Sequence, residues 1–164
     1  MYINIIYFLV LLYNTRIFHM IDKIDEQIIK LLAKNGRIKL SDLAKQVNLS
    51  ISPCQARLKK LEDKKYILGY HARVNYEQME KAHVAFVQVV LSDTRASALE
   101  NFNREVNKLD SIEQCHMIAG SFDYLLKVRT RNIKEYRMIL SEKISSLPNV
   151  SSTSTFVSMD TVKD

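Results

Sequence analysis

Residues 40–61 read Leu-Ser-Asp-Leu-Ala-Lys-Gln-Val-Asn-Leu-Ser-Ile-Ser-Pro-Cys-Gln-Ala-Arg-Leu-Lys-Lys-Leu. Apolar residues recur at helical spacing on both sides of Asn48-Leu49, so two short amphipathic helices are expected to meet there across a tight turn. Ser41 is placed to cap the first, whose apolar face is Leu40, Leu43, Ala44 and Val47. Ser50 or Ser52 caps the second, and Pro53 is tolerated because first-turn N–H groups have no intrahelical partner. The buried face of this second helix is predicted to be Ile51, Cys54, Leu58 and Leu61. An advance of about 100° per residue puts Ser52, Ala56, Lys59, Lys60 and Asp63 opposite, with Gln55 and Arg57 on the flanks. A helix pair of this kind, basic on its free face, is suited to offering a helix to the DNA major groove.

The flanks complete a small domain. Asp22 can cap an upstream helix with Ile24, Ile28, Leu31 and Leu32 on one face, ended by Asn35-Gly36. Residues 66–74 look like a short strand or wing, followed by a link near 75–81. The expected domain is a three-helix, winged helix-turn-helix over residues 21–82, with the helix-turn-helix itself at 40–59. Charge agrees with this division. The chain carries 24 Lys and Arg against 18 Asp and Glu. Residues 20–73 hold twelve against six, whereas residues 74–164 hold eleven against twelve. A basic module joined to a near-neutral one suggests a nucleic-acid reader attached to a part with another task. Lys59, Lys60 and Arg57 can neutralise phosphates, which gives affinity without sequence preference. Ser52 and Gln55, near the helix N-terminus, suit base edges. For Arg57 the alternative is an ion pair with a nearby acid, and for the lysines simple solvation. Cys54 falls on the apolar face and belongs to the core.

The second half has another rhythm. Strand-like runs at 83–92, 111–119, 124–130 and 150–159 alternate with amphipathic stretches at 96–109 and 133–147. Leu99, Phe102, Val106 and Leu109 form the apolar face of the first stretch. Ile133, Tyr136, Leu140, Ile144 and Leu147 form that of the second. The order β-α-β-β-α-β predicts a ferredoxin-like domain over residues 83–160, so the fold class is α+β. Two helices cover one face of such a sheet; the other can meet a second copy, and a dimer is expected. The turn Gly120-Ser121-Phe122-Asp123 stands out. Its N–H groups could hold a carboxylate and Asp123 an ammonium, which together suit an amino acid. The alternative makes Asp123 an ordinary turn residue bonding its own backbone.

Several classes are excluded. The sequence has no GxSxG, HExxH, Walker loop or GxGxxG, so no catalytic residues are assigned and no enzyme is expected. Cys54 and Cys115 form no CxxC pair, and His19, His71, His83 and His116 show no ligand spacing. No metal and no cofactor are therefore expected. Residues 1–19 contain an unbroken apolar run from Ile5 to Tyr13, shorter than the roughly 20 residues of a bilayer span. We read them as upstream sequence preceding a true start at Met20. A weakly membrane-associating segment and a helix packed on the domain are the alternatives, and no stable membrane span is expected.

Taken together, Asp22-Lys23-Ile24-Asp25, Asn35-Gly36-Arg37, Leu49-Ser50, Pro53-Cys54, Arg57-Leu58, Leu61-Glu62 and Ile67-Leu68-Gly69-Tyr70 resemble the Lrp/AsnC (feast/famine) family. Above all, so does Cys115-His116-Met117-Ile118-Ala119-Gly120-Ser121-Phe122-Asp123-Tyr124-Leu125-Leu126-Lys127. The resemblance covers residues 21–164 and is nearest to the leucine-responsive branch and to relatives controlling proline or branched-chain amino-acid catabolism. It implies a cytoplasmic, nucleoid-associated transcription regulator that binds double-stranded DNA. It also implies self-assembly into dimers and further, often to octamers, with a small amino-acid effector bound in the second domain at contacts between dimers. The effector residues it implies are Met117, Gly120, Ser121, Phe122, Asp123, Phe156, Val157 and Ser158. Ser121 stands where leucine-responsive members usually carry Asp, and Phe156 and Ser158 replace a Tyr and a Val, so the pocket is expected to differ. The competing reading is an architectural, weakly specific DNA-compacting oligomer.

Overall fold

The computed structural model describes residues 21–163; the readings of residues 1–19 lie outside them. The chain divides after Arg73 into two compact units. The first holds α1 (Lys23–Lys34), α2 (Leu40–Gln46) and α3 (Ile51–Asp63). Asp22 caps α1, its carboxylate accepting the Asp25 N–H at 2.8 Å, and satisfies one of the donors that every helix start leaves over. Asn48, at φ 55°, makes the turn between α2 and α3 in the left-handed region that Asn tolerates. The Leu49 N–H closes that turn on the Ala44 carbonyl at 2.9 Å. Ile28, Leu32, Leu43, Ala44, Val47, Cys54 and Leu61 form the core. Burying each large aliphatic side chain contributes about 1.5–3 kcal/mol against a costly loss of chain entropy.

Four local expectations change. Ser41 is not the cap of α2, because the helix begins one residue earlier and Lys39 takes that position without a side-chain bond. Ser50 occupies the cap position of α3, but its hydroxyl makes no capping bond. Ile51 stands in the first turn and is exposed rather than buried, because the core is reached only from Cys54 onward. Residues 66–74 form no strand. Tyr70 instead folds back on the helices: its hydroxyl donates to Glu62 at 2.7 Å, and its ring lies where a Cβ on Gly36 would be 3.2 Å away.

The second unit, from Val74, holds β1 (His83–Leu91), α4 (Ala96–Val106), β2 (Ile112–Met117), β3 (Tyr124–Thr130), α5 (Ile133–Ile139) and β4 (Val150–Val157). The sheet order is β2-β3-β1-β4 with all neighbours antiparallel, the arrangement of two interleaved β-α-β units. Alternation decides the faces. Ala85, Val87, Val89 and Leu91 on β1 and Tyr124, Leu126 and Val128 on β3 point at the helices. There they meet Phe102, Val106, Tyr136, Ile144 and Leu147, with Phe102 and Tyr124 rings 4.4 Å apart. The helix expected over 133–147 is not uniform. Residues Leu140–Ile144 form a π turn, in which Ser145 N–H bonds Leu140 O at 2.9 Å. Ile133, expected inside, is exposed in the first turn of α5. Among the described residues of this unit, no helix covers the opposite sheet face, with Phe86, Gln88, Leu125 and Lys127.

Among the described residues, no helix is long and apolar enough to cross a membrane, and no cluster of three or more His, Cys, Asp or Glu side chains could hold a metal ion.

Candidate functional site

The exposed face of α3 has two parts. Ser52 and Gln55 lie exposed in its first half, and Lys59 and Lys60 lie exposed in its second. Cys54 and Leu61, buried on the opposite side, set how the helix is rolled about its own axis. A helix so held presents short polar groups and an amide at one end and two ammonium groups at the other. The first can read base edges and the second can neutralise phosphates.

Arg57 is employed differently from the phosphate contact expected of it. Its Nη1 donates to Asp22 Oδ2 at 2.6 Å and to Asp25 Oδ1 at 2.8 Å, and Asp25 is only 5% exposed. The ion-pair alternative is the one the structure adopts. Arg57 ties the middle of α3 to the start of α1, and its charge is balanced inside the domain. The Asp25 amide and then the Arg57 guanidinium hold the Asp22 carboxyl below its ordinary range. Asp25 and then Asp22 push Arg57 up. Asp25 is the residue that sequence reasoning missed here. A charged residue in the first turn after a capping Asp is ordinarily favourable, solvated charge. The available signal was its spacing, since Asp25, Ile28 and Leu32 recur on the buried side of α1.

The turn at 118–123 joins β2 to β3. Asp123 is neither a self-bonded turn residue nor a freely presented carboxylate. Its N–H donates to Val89 O at 2.9 Å, its carbonyl accepts Ile118 N–H at 2.8 Å, and its Oδ2 accepts Leu91 N–H at 2.7 Å. Leu91 lies where the β1–β4 register shifts, so the side chain pins the turn to a bulge. Gly120 has no left-handed backbone angle, and a Cβ there would meet only Ile118, at 3.6 Å. Gly120 therefore borders open surface. Ser121 is exposed, and Phe122 is partly buried.

The residues implied as one effector set fall in two places. Met117 and residues 120–123 lie beside Val89 and Leu91, at the end of β1. Phe156 pairs with Phe86, Val157 with Ala85, and Ser158 N–H bonds Val84 O, at its beginning. Their anchor points on β1 lie three to seven residues apart, about 10–24 Å at 3.4 Å per residue, and the two groups flank β1 on opposite sides. Met117, Phe156 and Val157 are each about half exposed. A single copy therefore does not gather them around one small molecule.

Sequence reasoning also passed over a polar cluster on the uncovered sheet face. Arg129 on β3 is bonded through Nε to Glu113 on β2, and Lys127 Nζ lies 3.5 Å from the same carboxylate. The Arg129 guanidinium stacks 4.0 Å from the Tyr76 ring centre. The period-two spacing of Lys127 and Arg129 within an otherwise apolar strand was the available signal.

Comparison with known proteins bears on both units. Residues 21–67 match the family model for a winged helix-turn-helix DNA-binding domain, and residues 84–164 match that for the Lrp/AsnC ligand binding domain. The chain is 54% identical over 144 residues to the proline dehydrogenase transcriptional activator of Rhizobium radiobacter, covering 88% of this chain and 92% of that one. It is 40% identical to the leucine-responsive regulatory protein of Escherichia coli K12, over 87% of each chain. Among solved structures, a Neisseria meningitidis transcriptional regulator in complex with L-methionine superposes with a TM-score of 0.82 at 28% identity, covering 88% and 94% of the two chains. The feast or famine regulatory protein of Mycobacterium tuberculosis complexed with L-methionine gives a TM-score of 0.81 at 30% identity, covering 88% and 96%.

Proposed function

The chain belongs to the Lrp/AsnC family of DNA-binding transcription regulators, not enzymes, and we propose that it controls amino-acid metabolism genes in response to an amino-acid effector. The exposed polar and basic face of α3 is the observation that carries this reading. Ser52 and Gln55 read bases, Lys59 and Lys60 neutralise phosphates, and Arg57 holds α3 in register. Pairs of α3 helices occupy successive major grooves of upstream DNA, which places the protein in the cytoplasm on the nucleoid. Because two similar relatives, at 54% and 46% identity, are named as activators of proline dehydrogenase, a proline-catabolic gene is the first target to test and proline the first effector.

The effector site in this reading is built between copies. One copy brings Met117, Gly120, Ser121, Phe122 and Asp123; another brings Phe156, Val157 and Ser158. The separation of the two groups along β1 supports this, and so does the uncovered sheet face, which offers a surface for dimers that assemble further. Asp123 uses Oδ2 on Leu91, so Oδ1 is left to receive an effector ammonium. Effector binding shifts the contacts between copies and so the spacing of the α3 helices, and DNA and effector affinities are linked reciprocally.

The test is fluorescence anisotropy of the protein on its own upstream DNA and on random DNA, at two salt concentrations, with and without a panel of amino acids. Preference for its own DNA that one amino acid changes is the expected result. Equal, salt-sensitive binding to both DNAs with no amino-acid effect would sink the reading and leave the architectural, DNA-compacting alternative, which the positive charge of residues 20–73 favours.

A further inference from the structure

The β2–β3 hairpin has a functional tip and an anchored base. Its tip is the 118–123 turn. At its base the β2–β3 register shifts between Ile112 and Gln114, and the residue within that bulge is Glu113. Arg129 holds this place from β3, with a side chain only 11% exposed. Its Nε is bonded to Glu113, its Nη1 donates to the Lys81 carbonyl at 3.3 Å, and its guanidinium lies 4.0 Å from the Tyr76 ring centre. Tyr76 and Lys81 bound a closed turn. Lys81 N–H bonds Tyr76 O at 2.9 Å, and Asn75 Oδ1 accepts Gln78 N–H at 3.2 Å. This turn is the stretch by which the chain, coming from the DNA-reading unit, enters the sheet at His83.

We propose that Arg129 is a positioning residue of the effector response, joining the base of the β2–β3 hairpin to the entering chain at Tyr76 and Lys81. The proposal rests on the reading of the 120–123 turn as part of the effector site. The physical reason is mechanical. β2 and β3 are stiff where their ladder is regular, so a displacement of the tip is passed along the strands and absorbed where the ladder is broken. That place is Glu113, and the group bonded to Glu113 also grips the incoming chain. A planar guanidinium can stack on one residue while donating from separate nitrogens to two others; a lysine ammonium cannot. The test reads the coupling itself.

Two variants are measured in the full chain: Tyr76→Leu, which removes the stacking surface and leaves the charges, and Arg129→Lys, which keeps a cation beside Glu113 but loses the plane and the second donor nitrogen. For each, calorimetry reads binding of L-proline, L-leucine and L-methionine without DNA. Anisotropy reads DNA affinity with and without the same amino acids. If the wild type responds about tenfold, within the usual range of such couplings, the expected response in both variants is about threefold or less. Amino-acid binding alone and DNA binding alone should stay within about threefold of wild type. A response that stays near tenfold in both variants overturns the proposal. So does loss of amino-acid binding in step with the response, which would make Arg129 a structural residue only. A wild type that binds an amino acid without any change in DNA affinity removes this proposal but leaves the site. One that binds none of the three under these conditions brings down the proposal together with the reading beneath it.

Discussion

Helix α3 and the β2–β3 hairpin both end in exposed polar groups, but they are positioned in opposite ways. On α3 the candidate contacts are four residues of one helix, Ser52, Gln55, Lys59 and Lys60, and their spacing follows from the helical repeat alone. At the hairpin, Asp123 is set by Val89 and Leu91, more than thirty residues earlier in the chain. Phe156, Val157 and Ser158, grouped with it by family resemblance, lie at the far end of β1. A reading surface can be local because DNA supplies a long, regular partner. A small-molecule site needs groups converging from several directions, and a sheet supplies them from distant parts of the chain, or from another copy.

The comparison is tested most forcefully by breaking one core and asking whether the other survives. Phe102 is fully buried and its ring packs on Tyr124. Phe102→Ala is expected to cost the second unit about 3–5 kcal/mol. Hydrogen exchange should then show sheet amides opening while amides of α1 to α3 keep their protection. Equal loss in both units would mean that they form one cooperative structure.

Next in size is the division of labour on α3. Lys59→Ala should lower DNA affinity several-fold and reduce the slope of log affinity against log salt by about one. Arg57→Met should leave that slope unchanged, because its charge is already balanced by Asp22 and Asp25, yet weaken discrimination of upstream over random DNA about tenfold through a misplaced helix. A slope that falls by about one in Arg57→Met would restore Arg57 to the phosphate contacts and remove its role as a tie.

What could be read from the sequence follows the same line. The positions of α1, α3 and β3 were legible within a residue or so, since each has a strong apolar period. The β-α-β-β-α-β order was legible for the same reason. The bonding of Arg57 was offered only as an alternative, because a flank residue of an amphipathic helix can face water or a neighbour, and its partners lie 32 and 35 residues away. The strand expected over 66–74 does not form: Tyr66, Ile67 and Tyr70 have strand-forming side chains, but the backbone there has no ladder to join. The π turn at 140–144 was invisible, since one extra residue in a helical turn leaves the apolar spacing almost unchanged.

A smaller effect concerns the exit from α3. Lys65 stands at φ 62°, a left-handed position that a side chain with a Cβ pays for and glycine does not. Lys65→Gly is expected to stabilise the first unit by about 1 kcal/mol. Thermal unfolding followed by helical circular dichroism would show it as a rise in Tm of that unit alone. No rise would mean that other contacts of the Lys65 side chain offset the strain.

The smallest effect separates the units by acid. The Asp25 amide and then Arg57 hold Asp22 below its ordinary carboxyl value of 3.8. The Arg95 side chain and then its amide hold Asp93, in the second unit, at about 2. Both folded values are depressed, so both contributions are present above pH 3.8 and are lost as the pH falls through the folded values. Both groups are exposed, so salt screens the effect. Asp22→Asn keeps a good helix cap but cannot carry the charge that faces Arg57. The variant should therefore flatten the acid dependence of the first unit below pH 3.8 and leave that of the second unchanged. Residue-resolved NMR during acid titration distinguishes the two. If Asp22→Asn and the wild type lose α1 along the same acid curve, the cap alone supports the helix start and Arg57 is held by Asp25. In that case the tie between α3 and α1 runs through the buried carboxylate, and α3 owes its position to one ion pair rather than two.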